Sequence, residues 1–315
     1  MAIQQPGNVA SADGFPVWRR PLQKLALMAG LVILCFSLPL YDLAVFCLHS
    51  EFYSYILLIP LITGYLIWIR RDQLGSELRP AWGPAAVAVT AAGATVAVFA
   101  LAPGISAEAD YLALMMGAFL LLLLAAGFAS LGVSTLAAMA FPLALLIFMV
   151  PYPERLYQGI EAFFQHVSAA AAHGFLFLAG TPCHREGLAL NLPNNYPIKA
   201  PYVIEVGPTC SGVHSSQVLL ITSLLAGNLF LRTTWRRVFL VCLVIPLAIL
   251  RNGFRIFVIS ELCVHINHNM IDSWIHRKGG PVFFALSLIP FFFVLVWLRK
   301  SESKTPDAVK TPDNT

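Results

Sequence analysis

Apolar stretches of about 20 residues, each long enough to cross a bilayer core as a helix, recur along the whole chain. "LALMAGLVILCFSLPLYDLAVF", "AAVAVTAAGATVAVFALA" and "ALSLIPFFFVLVWL" are examples. No soluble domain of 315 residues needs 58% hydrophobic and only 11% charged residues. Backbone in lipid must satisfy its own hydrogen bonds, so the spanning element is a helix. The fold class is therefore all-α, a polytopic transmembrane helical bundle. About eight spanning helices are expected, over residues 24–44, 53–69, 84–103, 110–130, 133–151, 210–231, 237–259 and 281–298. They form one membrane-embedded domain, 21–299, between polar ends 1–20 and 300–315 that read as disordered.

The placement of Lys and Arg matters more than the net charge of +4, because it sets topology. Arg19, Arg20, Lys24, Arg70, Arg71, Arg79, Arg232, Arg236, Arg237, Arg299, Lys300, Lys304 and Lys310 fall on one side of the expected helices. Arg155, Arg185, Lys199, Arg277 and Lys278 fall on the other, and Arg251 and Arg255 lie within a helix. The basic-rich side reads as cytoplasmic, so both termini are expected inside and the loops 152–209 and 265–280 outside. These short clusters beside helices form no continuous basic face, which argues against a nucleic-acid partner. Segment 157–180 carries Glu161, Gln165 and His166 on one helical face and reads as a helix in the outer interface. Beyond it, "LALNL" and "YVIEV" alternate at period two between turn-forming residues, the pattern of a short extended or hairpin element.

That element runs straight into "GPTCSGVHSSQVLL", residues 207–220. Membrane helices rarely open with so many small and polar groups. Of the six cysteines, Cys35, Cys47, Cys242 and Cys263 lie in apolar runs and read as small buried hydrophobes. Cys183 and Cys210 lie at the polar loop, where a disulfide between them or a nucleophilic Cys210 are both open. No spacing of cysteine and histidine marks a metal site, and no cofactor motif is present. Arg251 and Arg255, one turn apart in the expected seventh helix, are costly in a membrane and need partners, for which Glu205 and Glu261 are candidates. His265, His268, Asp272 and His276 sit in the following outer loop. A thiolate near cations at a helix start, an arginine for an oxyanion and a histidine as general acid would together suit attack on a peptide.

The order "REG", "LNLP", "VIEVGPTCSG", "RNGFRI", "HRKGG" resembles the exosortase/archaeosortase family of integral membrane transpeptidases, most densely from Arg185 to Gly280. The resemblance implies a catalytic set of Cys210 as nucleophile, Arg255 as oxyanion or substrate stabiliser and His276 as general acid/base. Glu205, Ser211, Gly212, His214, Arg251, Asn252 and Gly280 are possible supporting residues. It further implies exported protein substrates with a C-terminal sorting signal: a Pro-Glu-Pro motif, a spanning helix and a basic cluster. The new C-terminus would pass to an unknown cell-surface acceptor, in a system tied to exopolysaccharide production. The expected location is a bacterial inner membrane, among membrane lipids, with the site on the periplasmic side. Thr209 replaces the alanine frequent before the cysteine, His214 rivals His276 for the histidine role, and Arg251 has no role in the family pattern. A transporter or a non-catalytic assembly factor of polysaccharide export is the alternative.

The topology has a direct consequence. In a background lacking the native cysteines, a cysteine placed at position 195 is expected to label with an impermeant thiol reagent in intact cells, and one at 234 is not. The opposite pattern would overturn the assignment of sides.

Overall fold

The computed structural model describes residues 19–50, 52–71, 79–101, 107–192, 202–266 and 279–303. His268, Asp272, His276, Arg277 and Lys278 lie outside the described residues, as do residues 193–201 and most of both polar ends. The described parts of those ends are helical rather than disordered, since the first helix begins at Arg19 and the last runs to Ser303.

Among the described residues six helices are long and apolar enough to cross a membrane, or seven if one bent pair counts as a single span, where about eight were expected. Stretch 24–44 is that pair, α1 (Arg19–Cys35) and α2 (Ser37–His49), bent by 68° at Phe36. Stretch 53–69 is a 3-10 turn, Ser54–Leu58, leading into the 12-residue α3 (Ile59–Arg70). α4 (Trp82–Leu101) follows the expectation. The boundary expected between 110–130 and 133–151 coincides with a kink at Gly132 (φ 83°, ψ 174°), which divides α5 (Glu108–Ala138) into two helical parts. The short α6 (Ala140–Leu145) and a 3-10 turn, Leu146–Met149, complete that stretch. Apolarity marks where a chain tolerates lipid, but breaks at Phe36 and Gly132 decide where it turns.

The segment expected as an interfacial helix forms α7 (Glu154–Ala179), which at 26 residues is by length and composition also apolar enough to span. Two of its three polar groups are met within the helix. Tyr157 Oη donates to Glu161 Oε1 at 3.3 Å, the His166 ring lies 2.8 Å from Ala162 O through Nδ1, and Gln165 is buried. A polar stripe satisfied within its own helix does not force that helix out of the membrane.

The chain forms two compact units, one up to Glu154 and one from Arg155. In the first, α4 and α1 pack along α5, whose Leu112, Met116 and Ala118 are fully buried. Asp110 Oδ1 accepts the Glu154 backbone N–H at 2.8 Å, which ties the start of α5 to the end of the unit.

The second unit holds the rest of α7, a three-stranded sheet, α8 (Val213–Phe230), α9 (Thr234–His265) and α10 (Gly280–Ser303). Strands β1 (His184–Glu186), β2 (Ala189–Leu192) and β3 (Tyr202–Glu205) are antiparallel in sequence order, with Arg185 opposite Leu190 and Leu190 opposite Ile204. This is the expected hairpin element, extended by one strand. Period-two alternation puts Leu190, Leu192, Ile204 and Val206 on one buried face, against Ala169, Ala172 and Leu176 of α7 and Ile256 and Ile259 of α9. A second cluster joins Leu219 of α8, Leu240 and Val244 of α9, and Phe291 and Leu295 of α10. The sheet thus sits on the α7–α9 pair and delivers the chain to the start of α8.

Candidate active site

After β3 the chain turns through Pro208–Cys210 in one 3-10 turn, closed by Cys210 N–H donating to Gly207 O at 2.9 Å. Gly212 then adopts φ 74°, ψ 9° as the N-cap of α8. Left-handed backbone costs about 1–2 kcal/mol at a residue with a Cβ. Space also forbids one here, because a Cβ on Gly212 would lie 2.7 Å from Asn252 Cγ. Glycine therefore serves both the turn and the close approach of α9.

α9 holds this turn with two adjacent residues. Asn252, 2% exposed, donates through Nδ2 to Cys210 O at 2.6 Å and to Ser168 Oγ of α7 at 3.0 Å. Arg251, 9% exposed, donates through Nη2 to Gly212 O at 3.2 Å and reaches Ser216 Oγ at 3.5 Å. Gly212 O also accepts from Ser216 Oγ at 2.8 Å and Ser216 N at 3.0 Å. At Gly253 α9 comes so near α7 that a Cβ would lie 2.5 Å from that of Ala171, which brings Ser168 within reach of Asn252.

Of the residues singled out in the sequence, Cys210, Ser211, Gly212, Arg251 and Asn252 meet at this turn. Ser211 is buried and its Oγ accepts Val213 N–H at 3.5 Å. Arg255 is half-buried one turn further along α9, about 6 Å towards its C-terminus. His214 is exposed on the first turn of α8 and Glu205 is exposed at the end of β3. Gly280 opens α10. Glu261, a candidate partner for the arginines, instead accepts from Thr181 Oγ1 at 2.5 Å and pairs with His265 at 3.0 Å. Ser168 and Ser216 went unnoticed in the sequence. The only signal for Ser168 was one hydroxyl at the head of the small-residue run "SAAAA".

All six cysteines are thiols, and Cys183 and Cys210 form no disulfide. Cys183, Cys210 and Cys263 belong to the same apolar neighbourhood beneath the sheet. Cys183 lies in the connection from α7 to β1, and burial pushes its thiol above the usual range. Among the described residues no three His, Cys, Asp or Glu side chains gather as metal ligands.

The family model for transmembrane exosortases matches residues 47–293, most of the chain, and the protein belongs to that family. No curated protein and no solved structure matches it.

Gly212→Ala is expected to lower thermal stability in detergent by at least the ~1–2 kcal/mol of left-handed strain. Part of the loss comes from contact with Asn252. The penalty should therefore be smaller when Gly212→Ala is made in an Asn252→Ala background, a non-additivity that a double-mutant cycle of unfolding midpoints reads directly.

Proposed function

We propose that this exosortase is a membrane-embedded cysteine peptidase and transpeptidase. In this reading it cuts exported proteins at a C-terminal sorting signal of Pro-Glu-Pro motif, spanning helix and basic cluster. It then passes the new C-terminus to a cell-surface acceptor during exopolysaccharide or matrix production. The location would be a bacterial inner membrane, with the site opening on the periplasmic side. The observation that carries the reading is the turn at Cys210, fixed through its own carbonyl by Asn252 and through the Gly212 carbonyl by Arg251. A purely structural helix start has no need of two buried polar anchors from a neighbouring helix.

The reaction follows from the residue chemistry. Cys210 Sγ, as thiolate, attacks the scissile carbonyl carbon, and a C–S bond forms as the carbonyl oxygen becomes an oxyanion. Arg255 carries a fixed charge that cannot deprotonate, which suits it to hold that oxyanion. The tetrahedral intermediate collapses with loss of the C–N bond, and the departing amine takes a proton from His276 as general acid. The thioester is then attacked by the acceptor nucleophile or by water, whose proton returns to the histidine as the C–S bond breaks and the thiolate is restored. The first turn of α8 favours negative charge beside it through the helix dipole.

Cys210→Ala is expected to leave full-length substrate in the membrane at normal enzyme abundance. Cys210→Ser should be nearly as inactive, because a hydroxyl is far less acidic than a thiol and needs a stronger base. Cys183→Ala should process normally. An immunoblot of substrate size beside enzyme level reads all three. Normal processing by a stably inserted Cys210→Ala enzyme would rule out thiol catalysis and move the reading to a transporter or an assembly factor.

Arg255→Lys keeps the charge and loses the planar fork. If Arg255 holds the oxyanion, the variant should insert normally and lose about 100- to 1,000-fold in rate, the usual cost of one such donor. A wild-type rate would make Arg255 an interfacial anchor only.

A further inference from the structure

α8 runs about 25 Å from the Cys210 turn to its far end at Phe230. At that end the second unit contains a cavity of about 490 Å³ lined by Arg232, Arg237, Arg299, Glu302 and Phe230 among others. The three arginines come from three places in the chain: the link after α8, the first turn of α9 and the last turns of α10. Arg237 is half-buried and held in place, its Nε donating to Leu231 O at 2.9 Å. The Arg299 guanidinium stands 5.8 Å from the Phe230 ring centroid.

Among the described residues Glu302 is the only carboxylate lining the cavity, and it is already engaged. It accepts the backbone N–H of Arg232 at 3.0 Å and of Thr233 at 2.8 Å, so it caps the start of α9. It also pairs with Arg236 at 3.5 Å, from the side of the same helix. Three guanidiniums therefore surround a space in which the one negative group is spent on the backbone and on a fourth arginine. Like charges gathered this way repel, and the arrangement is stable when an anion is shared among them.

We propose that this cavity binds a phosphate group. Guanidinium forks match phosphate oxygens in pairs, and donors on three sides enclose a tetrahedral anion better than a planar carboxylate. A phospholipid headgroup and soluble inorganic phosphate share this chemistry. Basic pockets at the ends of membrane helices commonly take headgroups. Here Leu229 and Phe230, 51% and 47% exposed, add an apolar rim on which the glycerol and first chain carbons of a lipid could lie. The assignment does not depend on the peptidase reading.

The test uses the full chain purified in detergent. Phosphatidylglycerol and phosphatidylethanolamine are offered in competition and counted as retained adducts by native mass spectrometry, and inorganic phosphate is offered separately in a thermal-shift titration. Arg232→Gln with Arg299→Gln removes two of the three forks and spares the Glu302 cap, which uses backbone. Arg20→Gln with Arg71→Gln, in the first unit, removes the same charge elsewhere. Wild type and the control pair are expected to bind, and the Arg232/Arg299 pair to bind about tenfold more weakly. Preferential retention of phosphatidylglycerol identifies a lipid phosphate, and a shift with inorganic phosphate alone identifies a soluble one. Equal binding by the two double variants, or no binding in either arm, would overturn the proposal.

Discussion

A single buried amide holds the site together. Asn252 Nδ2 reaches Ser168 on α7 and the carbonyl of Cys210, so one side chain on α9 ties two other segments to itself. A donor in this setting has no water to fall back on, and leaving a buried polar group unmet costs about 1–3 kcal/mol. The amide therefore fixes where the turn can sit. The requirement spreads outward. α9 must approach α7 closely, which Gly253 and Ala171 permit, and the chain must pass over Asn252 without a Cβ, which Gly212 permits.

Arg251 shows the same logic at higher stakes. A guanidinium within a membrane helix costs several kcal/mol unless it is satisfied, about 2.5–3.5 at the bilayer centre. Among the described residues no carboxylate pairs with it; its partners are Gly212 O and Ser216 Oγ. Gly212 O thus takes three donors, two from Ser216 and one from Arg251. A carbonyl held from two sides cannot swing, so the peptide plane two residues after Cys210 is set by the neighbouring helix rather than by α8 alone. The "RNG" of α9 reads as one device: charge, amide and absent side chain in consecutive positions, all directed at the same turn or at α7.

The sequence made plain what depends on composition and period. Apolar runs located the membrane helices, period two located β2 and β3, and the cluster of small and polar residues around Cys210 marked the turn. It was uneven on what depends on a single backbone angle. The bend at Phe36 lies within one unbroken apolar run, which gave no sign of it, whereas the break at Gly132 falls where the boundary between two helices was expected. α7 was ambiguous for a related reason: Glu161 and His166 look costly in lipid until their partners within the same helix are known. Side-chain partnerships were the least legible. Glu261 is four residues from His265 and eighty from Thr181, and only the fold shows that it serves both of these rather than an arginine.

Three thiols share the apolar neighbourhood beneath the sheet, yet their settings differ in ways that bear on reactivity. Cys263 is buried within α9, where its backbone is part of a continuous helix and its side chain is packing. Cys183 sits where the chain leaves α7 for β1, and burial disfavours its anion. Cys210 alone stands at the end of a turn that opens a helix, where backbone N–H groups lack intrahelical acceptors and the dipole favours negative charge. Nothing about sulfur distinguishes the three. What separates them is backbone direction, and that direction is imposed by the sheet on one side and by Asn252 and Arg251 on the other.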